Sequence, residues 1–142
     1  MIGIVLCGHG QFASGLYSSI HLIAGEQEAF QTVDFSEEMG SELLQEKLAA
    51  AVKAVDQHQG VVIFTDIPGG TPFNQAVMFS IKKEDVKVVS GTNLPALLEG
   101  CFNRETSLES FIAKILESGK AGLQQFEERK KETNYPEAED GI

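Results

Sequence analysis

The stretch Gly60-Val61-Val62-Ile63-Phe64-Thr65-Asp66-Ile67-Pro68-Gly69-Gly70-Thr71-Pro72 decides the fold. Its first half is β-branched and apolar until Asp66, the pattern of a strand buried on both faces. Ile67-Pro68-Gly69-Gly70 then reads as a turn. Thr71-Pro72 reads as an N-cap residue followed by proline at N1, opening a helix to about Ile81. A buried strand that passes through a glycine turn straight into a helix is the start of a βαβ unit.

The same rhythm extends in both directions. Ile2-Gly3-Ile4-Val5-Leu6-Cys7 is a second continuous apolar run, and it ends at Gly8-His9-Gly10. From Gln11 to Ala24 apolar residues recur at helical spacing (Phe12, Leu16, Ile20, Ile23), and Gly25 stops the pattern. Residues 30–35 read as a strand. Residues 40–57 read as an amphipathic helix with Leu43, Leu44, Leu48, Ala51, Val52 and Val55 on one face. Beyond the deciding stretch, Val86–Ser90 is a fourth strand ending at Gly91-Thr92-Asn93, and Leu94-Pro95 opens a helix to about Phe102. Ser107 to about Glu128 is helical in period, with interruptions predicted near Gly119 and Gly122. From Arg129 the sequence turns polar. One domain over residues 1–128 and an acidic, flexible tail over 129–142 are therefore expected.

This alternation predicts an α/β domain with an open, doubly wound sheet of four parallel strands and helices on both faces. The first and third strands are the most apolar, so they belong in the centre, in the order 2-1-3-4. Ligands of such sheets bind at the carboxyl ends of the strands where the winding reverses. His9 and Asp66 each stand at one of those ends.

Composition narrows the function. Lys and Arg total 11 against 21 for Asp and Glu, a formal net charge of -10. That balance opposes binding to nucleic acid or anionic lipid and favours protein partners with basic patches. No apolar run approaches the ~20 residues of a membrane-spanning helix. The N-terminal apolar run is too short and lacks the basic start of a signal peptide. Cys7 and Cys101 lie in apolar surroundings without metal-motif spacing, as buried thiols in a reducing compartment do. A cytoplasmic protein without direct membrane insertion is expected.

Of the three histidines, His21 lies inside a helix and His58 at a helix end, without glycine neighbours or a turn-borne acid. His9 is flanked by Gly8 and Gly10, which clear space for another molecule, and it precedes a helix N-terminus that favours an anion. One ring nitrogen of such an imidazole can attack phosphorus while a carboxylate, Asp66, holds the other. The turn Gly69-Gly70-Thr71-Pro72 offers N–H groups and the Thr71 hydroxyl to a phosphoryl group. Plainer roles stand beside these: Asp66 capping its own turn, His9 as an ordinary loop histidine, and the turn as a simple strand-to-helix link. Asn93 either caps its helix or lines the same cleft. No serine lies in a nucleophile-elbow context, since Ser14 falls in a helix and Ser90 at a strand end.

Three motifs now stand in order, each at a strand's carboxyl end: Gly8-His9-Gly10, Asp66-Ile67-Pro68-Gly69-Gly70-Thr71-Pro72-Phe73-Asn74 and Gly91-Thr92-Asn93-Leu94-Pro95. Together they closely resemble the enzyme IIA component of the mannose family of the bacterial phosphotransferase system, over about residues 1–125. The resemblance implies a phosphotransferase component with a phosphohistidine intermediate. His9 would take a phosphoryl group on Nε2 from the phosphocarrier HPr and pass it to enzyme IIB, for sugar uptake through IIC and IID. Asp66 would hold Nδ1, while Gly10, Gly70 and Thr71 would steady the phosphoryl oxygens. It also implies a homodimer with a C-terminal strand exchanged between subunits, for which residues 121–126 are the candidate segment. With no IIB domain downstream, the chain reads as a stand-alone IIA.

Phe12 and Pro68, beside His9 and Asp66, are candidates for apolar contact with a docking protein. Neither a phosphate-loop motif nor clustered metal ligands occur, and no cofactor or metal is expected. Competing readings are the related phosphohistidine subunit that feeds dihydroxyacetone kinase, a regulatory domain, and a non-catalytic ligand-binding module. A phosphohistidine hydrolase would need an arginine beside the nucleophile, where Cys7 and Gly8 stand.

Overall fold

Strand and helix alternate through the computed structural model, which describes residues 1–129. The elements are β1 (Gly3–His9), α1 (Phe12–Ala24), β2 (Phe30–Phe35), α2 (Ser41–Val55), β3 (Val61–Thr65), α3 (Thr71–Ile81), β4 (Val86–Val89), α4 (Leu94–Cys101) and α5 (Leu108–Gly122). The strands form one sheet in the order β2-β1-β3-β4, and every neighbouring pair is parallel. The expected topology, 2-1-3-4 with helices on both faces, is the observed one.

The continuous apolar runs follow from burial on both faces. Val5 and Cys7 of β1 and Val61 and Ile63 of β3 face a core with Val33, Leu44, Leu48, Val52 and Ala76, beneath α2 and α3. Their alternating neighbours, Ile4, Leu6, Val62 and Phe64, face a second core with Ile20, Leu97, Phe111 and Ile115, beneath α1, α4 and α5. Each fully buried Ile, Leu or Phe contributes about 1.5–3 kcal/mol relative to exposure. The central pair β1–β3 is therefore the rigid base from which the loops at its carboxyl end project.

Three local expectations are corrected. Gly70, not Thr71, is the N-cap of α3, so Pro72 falls at N2; either position suits proline, because neither N–H has an intrahelical partner. The last helix runs without interruption through Gly119 and stops at Gly122, short of Glu128. Residues 121 and 122 thus close α5, and among the described residues 123–128 belong to no strand. The tail expected over 129–142 lies outside the described residues except for Arg129. Among the described residues no helix is long and apolar enough to cross a membrane.

Candidate active site

β1 delivers His9 to the carboxyl edge of the sheet, and β3, its hydrogen-bonded neighbour, delivers Asp66 one residue beyond its own end. The two residues, 57 positions apart, meet there. His9 Nδ1 lies 2.7 Å from Asp66 Oδ2, and the His9 backbone N–H donates to the same oxygen at 2.8 Å. The other carboxylate oxygen accepts the Ile67 N–H at 2.8 Å. The His9 side chain is 46% exposed while that of Asp66 is 11% exposed. A shielded acid thus holds a ring that remains open to a docking molecule.

Burial works to raise the Asp66 carboxyl pKa, but the His9 N–H, the imidazole and the Ile67 N–H outweigh it and hold the carboxyl below its usual range. Ionised, Asp66 can only accept, which puts the proton of a neutral imidazole on Nδ1 and the lone pair on Nε2. The ring is thus held through Nδ1 and directs its other nitrogen away from the carboxylate. Cys7, two residues upstream, is no competitor: burial, with Asp66 and Asp34 nearby, pushes its thiol up to about 12.

Gly70 faces the ring. A Cβ at this position would lie 2.9 Å from His9 Cε1 and 3.6 Å from Nε2, so only glycine admits the imidazole in this position. Its φ of -77° suits any residue; the requirement is space. Thr71 follows at N1 of α3, half-buried, at the helix end nearest the ring. Gly10 has φ +58° and gives its N–H to the Phe35 carbonyl at 2.8 Å, so what it offers the site is the absence of a side chain. Pro68 is exposed in the turn, and Phe12 is half-buried against the second core. Asn93 is engaged elsewhere: Oδ1 caps α4 through the Ala96 N–H at 3.1 Å, and Nδ2 donates to the Gly119 carbonyl at 2.9 Å. Both ends of its amide are occupied, which leaves it in the capping role.

Two contributors come from the end of β2, which the sequence reading passed over. Phe35 meets the His9 ring edge-on, with centroids 5.8 Å apart and planes at 73°. Asp34 accepts the Ser14 N–H at 3.0 Å and the Ser14 hydroxyl at 2.6 Å. Its carboxylate therefore occupies the N-terminus of α1, whose own N-cap residue, Gln11, makes no side-chain capping bond. The expectation that α1 would attract an anion beside His9 is corrected accordingly, since a fixed negative charge already fills that end. The N-cap of α3, Gly70, likewise makes no side-chain capping bond. The signal was present in the topology, because β2 neighbours β1 and its last residues must flank His9.

The chain that carries this half-exposed imidazole, held at Nδ1 and facing a glycine turn on a 2-1-3-4 sheet, matches a known family. The family model for EIIA-man, the PTS system fructose IIA component, covers residues 3–116. The chain belongs to the mannose-family enzyme IIA components of the phosphotransferase system. It is 37% identical over 105 residues to the fructose-specific EIIA component of Bacillus subtilis, covering 74% of this chain and 72% of that one. It is 32% identical over 137 residues to the mannose-specific EIIAB component of Escherichia coli K12, covering 95% of this chain but 42% of the longer relative. The crystal structure of a phosphotransferase system EIIA component from Streptococcus agalactiae superposes with a TM-score of 0.82 at 32% identity, covering 88% of this IIA chain and 97% of that one.

Proposed function

We propose that this IIA chain is a phosphoryl carrier that accepts phosphate from phospho-HPr on His9 Nε2 and passes it to enzyme IIB, in the cytoplasm, for coupled sugar uptake. The observation that carries the reading is the 2.7 Å contact between His9 Nδ1 and Asp66 beneath an imidazole that is 46% exposed. The lone pair on Nε2 attacks phosphorus in line as the donor's P–N bond breaks, and the bonding pair returns to the donor nitrogen. The ring keeps its Nδ1 proton and becomes cationic, and Asp66 balances that charge. First-turn N–H groups of α3 and the Thr71 hydroxyl face the phosphoryl oxygens, while Pro68 and Phe35 flank the approach. The reverse sequence of bond changes hands the group to IIB.

A homodimer is part of the proposal. Among the described residues β4 is an edge strand, and the groove beside it, about 730 Å³, is lined by Val88, Val89, Leu108, Ile112 and Leu116. Leu123 and Phe126, 87% and 79% exposed after the end of α5, are apolar side chains of the kind a β4 edge in a second copy would bury.

Incubation with phosphoenolpyruvate, enzyme I and HPr should attach one acid-labile phosphate to the wild-type chain and none to His9→Ala. Label that persists in His9→Ala, on His21 or His58, would overturn the assignment.

A further inference from the structure

The motif Gly91-Thr92-Asn93 stands at the end of β4, and its hydrogen bonds run towards Asp66. The last paired residues of β3 and β4 are Phe64 and Val89. Beyond them the two chains remain stitched: the Thr65 hydroxyl donates to the Val89 carbonyl at 2.7 Å, the Gly91 N–H to the Asp66 carbonyl at 2.8 Å, and the Thr92 N–H to the Thr65 carbonyl at 3.2 Å. Gly91 makes its bond at φ +70°, a conformation that a side chain disfavours. The carboxylate of Asp66 is fixed by His9 and Ile67, and its backbone is fixed by Gly91.

The loop is anchored in turn by Asn93. One side-chain atom caps α4 and the other holds the carbonyl of Gly119 in the last turn of α5. α5 therefore leads, through Asn93 and Gly91, to the backbone of the residue that orients the imidazole. We propose that Asn93 is a positioning residue for phosphoryl transfer: its amide bridge to α5 sets the β4–α4 loop, and through Gly91 the loop sets Asp66 against His9. The proposal rests on the phosphoryl-carrier reading for its kinetic consequence, though not for its geometric one.

The two halves of the Asn93 amide can be separated by substitution. Asn93→Ser keeps a strong N-cap and loses the donor to Gly119, whereas Asn93→Ala loses both. The proton NMR resonance of His9 Nδ1–H, read in the unphosphorylated protein, reports the contact with Asp66 directly. In Asn93→Ser the expected result is a thermal midpoint near wild type, a shifted or exchange-broadened Nδ1–H resonance, and a turnover in HPr-dependent transfer about ten-fold lower at unchanged KM. Asn93→Ala should show the same resonance change with a lower thermal midpoint. A wild-type resonance and turnover in Asn93→Ser would overturn the positioning role, whatever the thermal midpoint does. Should the wild-type chain take up no phosphate, the carrier reading fails alone, and the resonance still decides whether Asn93 positions Asp66.

Discussion

At the scale of single residues, the site depends on what is small and what is ionised. Gly70 tests the first. Its backbone angles suit alanine, so Gly70→Ala should fold with a urea midpoint close to wild type. The added methyl would nevertheless fall 2.9 Å from His9 Cε1 and displace the ring. A displacement approaching 1 Å lowers transfer by about 100-fold, measurable as the rate of phosphate uptake from phospho-HPr; an unchanged rate would show that the ring tolerates the methyl. Asp66 tests the second. A carboxyl held low in the folded state stabilises the fold fully above its unfolded value, about 3.9, and loses that contribution as pH falls through the lower folded value. The difference in urea midpoint between wild type and Asp66→Asn should therefore hold level from pH 6 to about 5 and shrink below that. A difference that changes between pH 6 and 5 would assign the effect to another group.

At the scale of elements, strands and helices were legible because each announces itself within a few residues: two apolar runs, two amphipathic faces, glycine punctuation. The pairing of His9 with Asp66 was legible at one remove, since the strand order 2-1-3-4 alone brings their strand ends together. What escaped the sequence is held by side chains that act over long separations. Arg104, buried, donates to the carbonyls of Ile2 and Ala29, 102 and 75 residues away, and nothing local distinguishes it from a surface arginine. Asp34 likewise caps a helix that begins 22 residues earlier. Because α1 has no capping side chain of its own, Asp34→Ala should lower stability by about 1 kcal/mol in urea unfolding, and Asp34→Asn, which still offers an acceptor to the Ser14 N–H, should recover part of it. Equal loss in both variants would trace the effect to the carboxylate's charge at the helix N-terminus.

For the whole molecule, the decisive quantity is where its charge lies. The carboxyl end of the sheet and its loops hold Asp34, Glu37, Glu38 and Asp66, and residues 9–12, 34–41, 66–71 and 90–94 include no lysine or arginine. On the proposed reading these segments would meet a phosphoryl group on His9 with backbone N–H groups and the imidazolium, and they supply no fixed cation of their own. That arrangement holds the group without trapping it, which suits a carrier that must release what it receives. On the proposed reading the same acidic face would draw in a donor with a basic patch: long-range attraction of this kind raises association rates by about 10–1,000-fold at low salt and fades as the screening length falls from ~10 Å at 0.1 M to ~3 Å at 1 M. The second-order rate of transfer from phospho-HPr should accordingly drop at least about ten-fold between low and high salt, with the thermal midpoint little changed. Glu37→Lys combined with Glu38→Lys, both on exposed positions, should slow the low-salt rate and flatten its salt dependence. Stopped-flow transfer measured across that salt range decides the point: parallel salt curves for the double variant and wild type would place the steering charge elsewhere on the surface.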